Sequence, residues 1–323
     1  MPSQTTAAST AVTAPGATAA PDCADRAGVS QPPEHADEVT ERTRAWFALH
    51  RRDLPWRDPH AGAWAVMVSE FMLQQTPVAR VLPVYESWVA RWPEPSALAA
   101  EEPGEAVRAW GRLGYPRRAL RLHAAATSIV QRHGGQVPDD YEALRALPGV
   151  GEYTAAAIAS FAFGRRAAVL DTNVRRVLAR VFSGVEFPAD SLTAAERALA
   201  TALLPSAQRD AAAWAAASME LGALLCTAKT PDCARCPITE LCAWHRLGRP
   251  PHDGPPRRGQ IYAGTDRQAR GRLLAVLRES RSPVGKPALD AVWHAAEQRE
   301  RALAGLLADG LAVELRDGTY RLP

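Results

Sequence analysis

Between Thr40 and Arg246 the apolar residues recur at three- and four-residue intervals, in segments cut by proline and glycine, with almost no alternating strand pattern. The spacing predicts an all-α body with helices over 40–51, 64–75, 77–91, 104–111, 117–133, 138–145, 152–163, 172–183, 192–203 and 208–223, and a short one over 237–246. Residues 1–39 break the pattern. They are rich in Ala, Thr, Pro and Ser, and no basic segment precedes an apolar one, so they predict a disordered tail and no secretory signal. Residues 247–262, rich in Pro and Arg with nothing to bury, predict a linker. A second unit over 263–323 follows, with helices over 271–279, 287–293 and 295–309 leading into two short apolar runs, 311–315 and 319–322. Asp317-Gly318 between those runs signals a hairpin. Helices closing on a hairpin predict a small α+β, winged-helix-like unit.

Composition sharpens this only in part. With 47% hydrophobic and 23% charged residues over 323 positions, the chain has ample material for a core. No run of about 18 apolar residues occurs, so the expectation is a cytoplasmic, monomeric protein with no membrane span. The net charge of +3 hides an asymmetry. Residues 1–40 carry one base (Arg26) against five acids (Asp22, Asp25, Glu34, Asp37, Glu38), leaving 37 bases against 30 acids in the rest. Such a basic body suits a polyanion. Only two of the 38 bases are lysines, Lys229 and Lys286.

Three constellations carry chemistry. Cys226, Cys233, Cys236 and Cys242 are separated by six, two and five residues. Four thiols this close in a cytoplasmic chain point to metal ligation ahead of disulfides, and both zinc and a [4Fe–4S] cluster accept four cysteines. Leu147-Pro148-Gly149-Val150-Gly151 separates two helical segments and opens onto a helix N-terminus at Glu152, a seat for a DNA phosphate as well as an ordinary helical turn. Asp171 heads the helix that starts at Thr172. It reads first as an N-cap, and the helix dipole predicts a lowered pKa for it.

Together the strings LPGVG and LDTNV and the cysteine spacing resemble the endonuclease III superfamily of DNA glycosylases over about residues 40–246. Within it, LPWR (Leu54–Arg57), SEFMLQQT (Ser69–Thr76) and LGY (Leu113–Tyr115) look like the MutY branch, the adenine DNA glycosylases. The resemblance implies a helix-hairpin-helix glycosylase fold, a [4Fe–4S] cluster on the four cysteines, and double-stranded DNA carrying adenine mispairs as the partner. It implies removal of adenine opposite 8-oxoguanine or guanine by base flipping in base excision repair, and a nucleoid-associated enzyme. Residue by residue, Glu70 matches the general acid that protonates adenine, and Asp171 the carboxylate that stabilises the oxocarbenium-like sugar. Tyr153 and Asn173 match their supports, and Trp56 and Arg57 the pocket wall. Gln75 and Tyr115 match wedges into the duplex. Glu70, Gln74 and Gln75 are expected on one DNA-facing helix, Thr76 is expected to bind DNA beside them, and Leu147, Gly149, Val150 and Gly151 are expected at a phosphate.

The chemistry is consistent with that set. Adenine leaves poorly as an anion, so cleavage needs a proton donor at the base and negative charge near the sugar. Two carboxyls with separated pKa values supply both, and Glu70, following Val66-Met67-Val68, is expected to be raised. Lyases of the superfamily carry a lysine where this chain has Tyr153, so a monofunctional hydrolase is expected. Two departures stand out. Pro116 replaces a second tyrosine after LGY, and the C-terminal unit is too short for a MutT-like domain. The rivals are an endonuclease III-type or thymine-mismatch glycosylase and a non-catalytic DNA-binding protein. Arg117, Arg118, Arg175 and Arg176 are expected to contact phosphates.

Overall fold

The computed structural model describes residues 32–254 and 262–323, so the expected tail up to residue 31 and the linker segment 255–261 lie outside the described residues. The first part runs through α1 (Ala36–His50), α2 (Gly62–Leu73), α3 (Val78–Arg91), α4 (Pro95–Ala99), α5 (Pro103–Trp110), α6 (Arg117–Arg132), α7 (Tyr141–Arg145), α8 (Glu152–Phe163), α9 (Thr172–Phe182), α10 (Ala194–Ala202), α11 (Gln208–Leu224) and α12 (Ala243–Arg246). The second holds α13 (Asp266–Glu279), β1 (Val284–Gly285), α14 (Lys286–Asp290), α15 (Ala296–Ala308), β2 (Val313–Glu314) and β3 (Thr319–Arg321).

The organising element is α2. Its sequence is apolar all round, the signature of a helix enclosed by others, and every residue from Trp64 to Met72 is buried. Around it lies a core to which α3, α5, α6 and α8 contribute, including an edge-to-face tryptophan group of Trp88 with Trp92 and Trp110, centroids 4.6 and 5.7 Å apart. A second core gathers α1, α9, α10 and α11 and extends to Cys242 and Trp244. Helix α8 packs on both α2 and α11, so its N-terminus, the head of α9 and the end of α2 converge.

Local chemistry explains where boundaries moved. Helix α1 begins at Ala36, with Ala36 and Val39 buried on the second core, so the last residues of the expected tail are helical. Asp140 caps α7 by accepting from the Ala143 N–H at 2.8 Å, which shortens the helix expected from 138. Thr193 and Glu196 form a reciprocal capping box at the start of α10. The described part of the linker is tied down, since Trp244 donates to the Pro250 carbonyl at 2.8 Å and the His252 N–H donates to Glu186 at 2.8 Å. Helix α4 and strand β1 were not anticipated; both are too short to show a period.

The C-terminal unit has the expected helices and hairpin, with β3 central in an antiparallel sheet of order β1-β3-β2, pairing Val284 with Tyr320 and Glu314 with Tyr320. It is not a separate body. Leu273, Leu277, Leu306, Tyr320 and Leu322 belong to the same continuous core as Val107 and Trp110 of α5. The Gly104 N–H donates to the Pro323 carbonyl at 2.8 Å, and Arg108 donates to the Arg278 carbonyl and, at 2.8 Å, to that of Ser280. No helix among the described residues is long and apolar enough to cross a membrane.

Because the two units share one core, calorimetry is expected to give a single cooperative transition; two resolved transitions would contradict the shared core. A Cβ at Gly104 would sit 2.4 Å from the Pro323 oxygen and 2.9 Å from Leu322 Cβ. Gly104→Ala is therefore expected to cost about 1–3 kcal/mol through overpacking, read as a lowered melting temperature.

Candidate active site

Glu70 sits in the last turn of α2 and is 4% exposed. Its Oε2 accepts the Tyr153 hydroxyl at 2.9 Å across the gap to α8. Burial pushes Glu70 up to about 7; the Tyr153 bond opposes the rise, the charge of Asp171 adds to it and Arg57 pulls it down. The expected elevation is present, and near neutral pH the carboxyl has a proton to give. Tyr153 is raised well above 10 by burial and both carboxylates, so it stays a neutral donor.

Asp171 is the N-cap of α9. Its Oδ1 accepts the Val174 N–H at 2.7 Å and its Oδ2 accepts Asn173 Nδ2 at 2.8 Å. The expectation of a lowered pKa fails. Burial raises Asp171 and outweighs these hydrogen bonds and the nearby Arg176. The charge of Asp171 in turn contributes to the rise of Glu70. Asn173 Oδ1 in turn accepts from Arg176 Nη2 at 2.8 Å, and Arg176 also donates to the carbonyls of Gly222 and Cys226, each at 2.7 Å. A Cβ at Gly222 would lie 2.8 Å from Asn173, so α9 and α11 meet where only glycine fits.

Trp56 and Arg57 lie in a 3-10 turn over Pro55–Arg57, the indole packed edge-on against Tyr85 at 5.0 Å. Arg57 is held by Glu220, a residue the sequence reading missed. Arg57 Nη1 and Nη2 each donate to the Glu220 carboxylate at 2.9 Å, and the Arg52 backbone N–H and guanidinium donate to it at 2.7–3.0 Å. Glu220 is completely buried, and these donors, with the charge of Arg57, outweigh its burial and hold it down to about 2. Glu220, the carboxylate in the apolar second half of the alanine-rich α11, was the available signal, because such a group is buried only with a partner.

Helix α2 ends at Leu73, so Gln74 and Gln75 are not on a DNA-facing helix as expected. Gln74 points inward and donates to Thr154 Oγ1 at 3.2 Å, and Thr76 is buried. Gln75 alone is exposed, with φ +55°, and Tyr115 stands out 51% exposed with φ +46°. Two non-glycine residues held left-handed side by side are strained, which calls for a clamp. Arg118 is that clamp. Its Nη1 donates to the carbonyls of Phe71, Met72 and Gln74 at 2.6–3.2 Å, and its Nη2 to Thr76 Oγ1 and the Gly114 carbonyl at 3.1 and 3.2 Å. Burial lowers Arg118 to about 10.

The expectation that Arg118 and Arg176 meet phosphates is thus corrected: both are buried and bonded inside. Arg175 pairs with Glu196 at 2.8 Å, and the exposed Arg117 pairs with Asp309 at 3.2 Å. In the hairpin, Leu147 and Val150 are buried anchors, while Gly149 and Gly151 are exposed. Gly149 needs its φ of +79°, and a Cβ there would lie 2.7 Å from Arg121; nothing lies within 4 Å of a Cβ at Gly151.

Cys226, Cys233, Cys236 and Cys242 line one small cavity. Thr239 Oγ1, which lines it too, is buried without a hydrogen-bond partner. Among the described residues no three His, Cys, Asp or Glu side chains come together around a single ion. Four thiols lining one cavity are a donor set that both zinc and a [4Fe–4S] cluster accept.

Residues 68–201 match the HhH-GPD superfamily of base excision DNA repair proteins. A thermostable thymine-DNA glycosylase superposes over 66% of this chain and 98% of its own, with a TM-score of 0.60 and 26% identity. A non-covalent endonuclease III–DNA complex shares the fold, with a TM-score of 0.55 and 21% identity over 67% of this chain and 97% of that one. The class is therefore that of helix-hairpin-helix base excision DNA glycosylases, hydrolases of N-glycosyl bonds. The adenine DNA glycosylase of Mycobacterium tuberculosis (strain H37Rv) is 53% identical over 280 residues, 86% of this chain and 91% of that one. That of Mycolicibacterium smegmatis is 49% identical over 86% of this chain and 94% of its own. This chain belongs to the adenine DNA glycosylase family.

A buried carboxyl that titrates near 7 folded and 4.5 unfolded loses stability as pH rises between those values. The cost above pH 7 is about 3 kcal/mol, since each pK unit is worth about 1.4 kcal/mol. Glu70→Gln is expected to melt higher than the parent at pH 8, with the gap shrinking towards pH 4.5. Parallel melting curves across that range would contradict the assignment.

Proposed function

We propose that this chain excises adenine paired with 8-oxoguanine or guanine in double-stranded DNA, acting as a monomer, and leaves an abasic site without cutting the strand. The observation that carries the reading is the buried Glu70 carboxyl, which burial raises to about 7, which accepts the Tyr153 hydroxyl at 2.9 Å, and to whose rise the charge of the buried Asp171 adds. In this reading Glu70 passes its proton to N7 of the flipped adenine. The C1′–N9 bond then breaks with its electron pair going to a neutral base. Asp171, oriented by Asn173 and the head of α9, stabilises the cationic sugar until water adds at C1′ and gives its proton to the Glu70 carboxylate, which restores the acid. Tyr153 holds Glu70 and offers no amine for a Schiff base.

Trp56 and Arg57 wall the base pocket, with Glu220 fixing the guanidinium. Gln75 and Tyr115 enter the duplex, and the Leu147–Gly151 hairpin takes a phosphate at its open Gly151 edge. Cys226, Cys233, Cys236 and Cys242 would hold a [4Fe–4S] cluster, which would supply a redox-active centre there.

Single-turnover release of adenine from duplexes differing only in the opposite base tests this. Release is expected to be fastest opposite 8-oxoguanine, slower opposite guanine, and to fall as pH rises through about 7. Glu70→Gln and Asp171→Asn should each lower the rate by about 10²-fold or more, and borohydride should trap no adduct. Thymine released from a G·T duplex, with adenine retained, would transfer the reading to the thymine-mismatch branch.

A further inference from the structure

Arg180 is 0% exposed, and no carboxylate among the described residues pairs with it. Its donors go instead to neutral carbonyls: Nε to Glu186 at 3.0 Å, Nη1 to Thr227 at 2.8 Å and Nη2 to Ala228 at 3.4 Å. Nη1 also donates to Cys226 Sγ at 3.3 Å, and the Arg180 carbonyl accepts from Cys242 Sγ at 3.5 Å. The guanidinium lies 4.6 Å over the Trp244 ring. Arg180 thus touches the first and last cysteines and lines the cavity all four share.

A buried guanidinium costs free energy unless an anion balances it, and carbonyl dipoles do so only in part. Four thiolates outweigh the positive core of an iron–sulfur cluster, so the ligated cluster is an anion. We infer that Arg180 is the internal counter-charge of that cluster, and that its bond to Cys226 Sγ both retains the cluster and sets the ease of its oxidation. The inference rests on the [4Fe–4S] reading above. The second shell of a metal site fixes its ligands and tunes its electronics in this way. The sign follows from charge: removing the cation favours the less anionic, oxidised cluster, so the potential falls.

The test compares the full chain with Arg180→Gln and Arg180→Lys for iron and sulfide content, rate of iron loss to a chelator, and cluster potential. Arg180→Gln is expected to lose iron about 10–100-fold faster and to oxidise at lower potential. Arg180→Lys should keep a potential near the parent's and lose iron at an intermediate rate. An Arg180→Gln protein matching the parent in both quantities overturns the inference. Should Arg180→Gln not accumulate folded, the lysine variant decides: a potential lowered despite the retained charge, or iron loss as slow as the parent's, overturns it. A parent chain that holds no iron fails the cluster reading itself, a separate result.

Discussion

The desolvation of Glu70 is the constraint from which much of this structure follows. A carboxyl with a proton to give near neutral pH must be withdrawn from water, and the chain achieves this by placing it on a helix enclosed on all sides. An enclosed helix cannot also present its residues to a duplex. The exposed groups therefore come just after it, where the chain leaves the helix at Gln74 and turns sharply at Gln75.

Such turns are strained, and the strain is met by arginine rather than by apolar packing. Arg118, Arg176 and Arg180 are all buried, and each spreads its donors over carbonyls belonging to different segments. The planar fork makes this possible, since several hydrogen bonds leave one rigid group in fixed directions, whereas an ammonium offers a point charge on a flexible stem. The near absence of lysine accords with that architecture: the basic residues are partly an internal frame and only partly an outward charge.

This division explains what could be read from the chain and what could not. Helices such as α6, α9 and α11 carry enough period for their limits to emerge within a few residues, and the glycosylase strings around Glu70, Gly149 and Asp171 led to the family. Burial of arginine left no such mark. Arg118 and Arg176 looked like phosphate contacts because sequence gives charge and neighbours but no depth, and the same blindness inverted the shift of Asp171, where local capping was visible and desolvation was not. Glu220 was hidden for the converse reason: its partners, Arg52 and Arg57, lie more than 160 residues earlier.

The C-terminal unit follows the same logic at larger scale. A module of about 60 residues makes a marginal core on its own, and here it borrows one from α5 while its final residue accepts from Gly104. Helix α5 leads directly into the Gly111–Tyr115 loop, and Arg117 at the far side of that loop pairs with Asp309 of the unit. The unit therefore braces both sides of the segment that exposes Tyr115, while Arg118 braces it from within. By packing on α5 and pairing with Arg117 the unit fixes the loop that exposes Tyr115, and an exposed aromatic side chain on a strained turn keeps its direction only when the turn cannot relax.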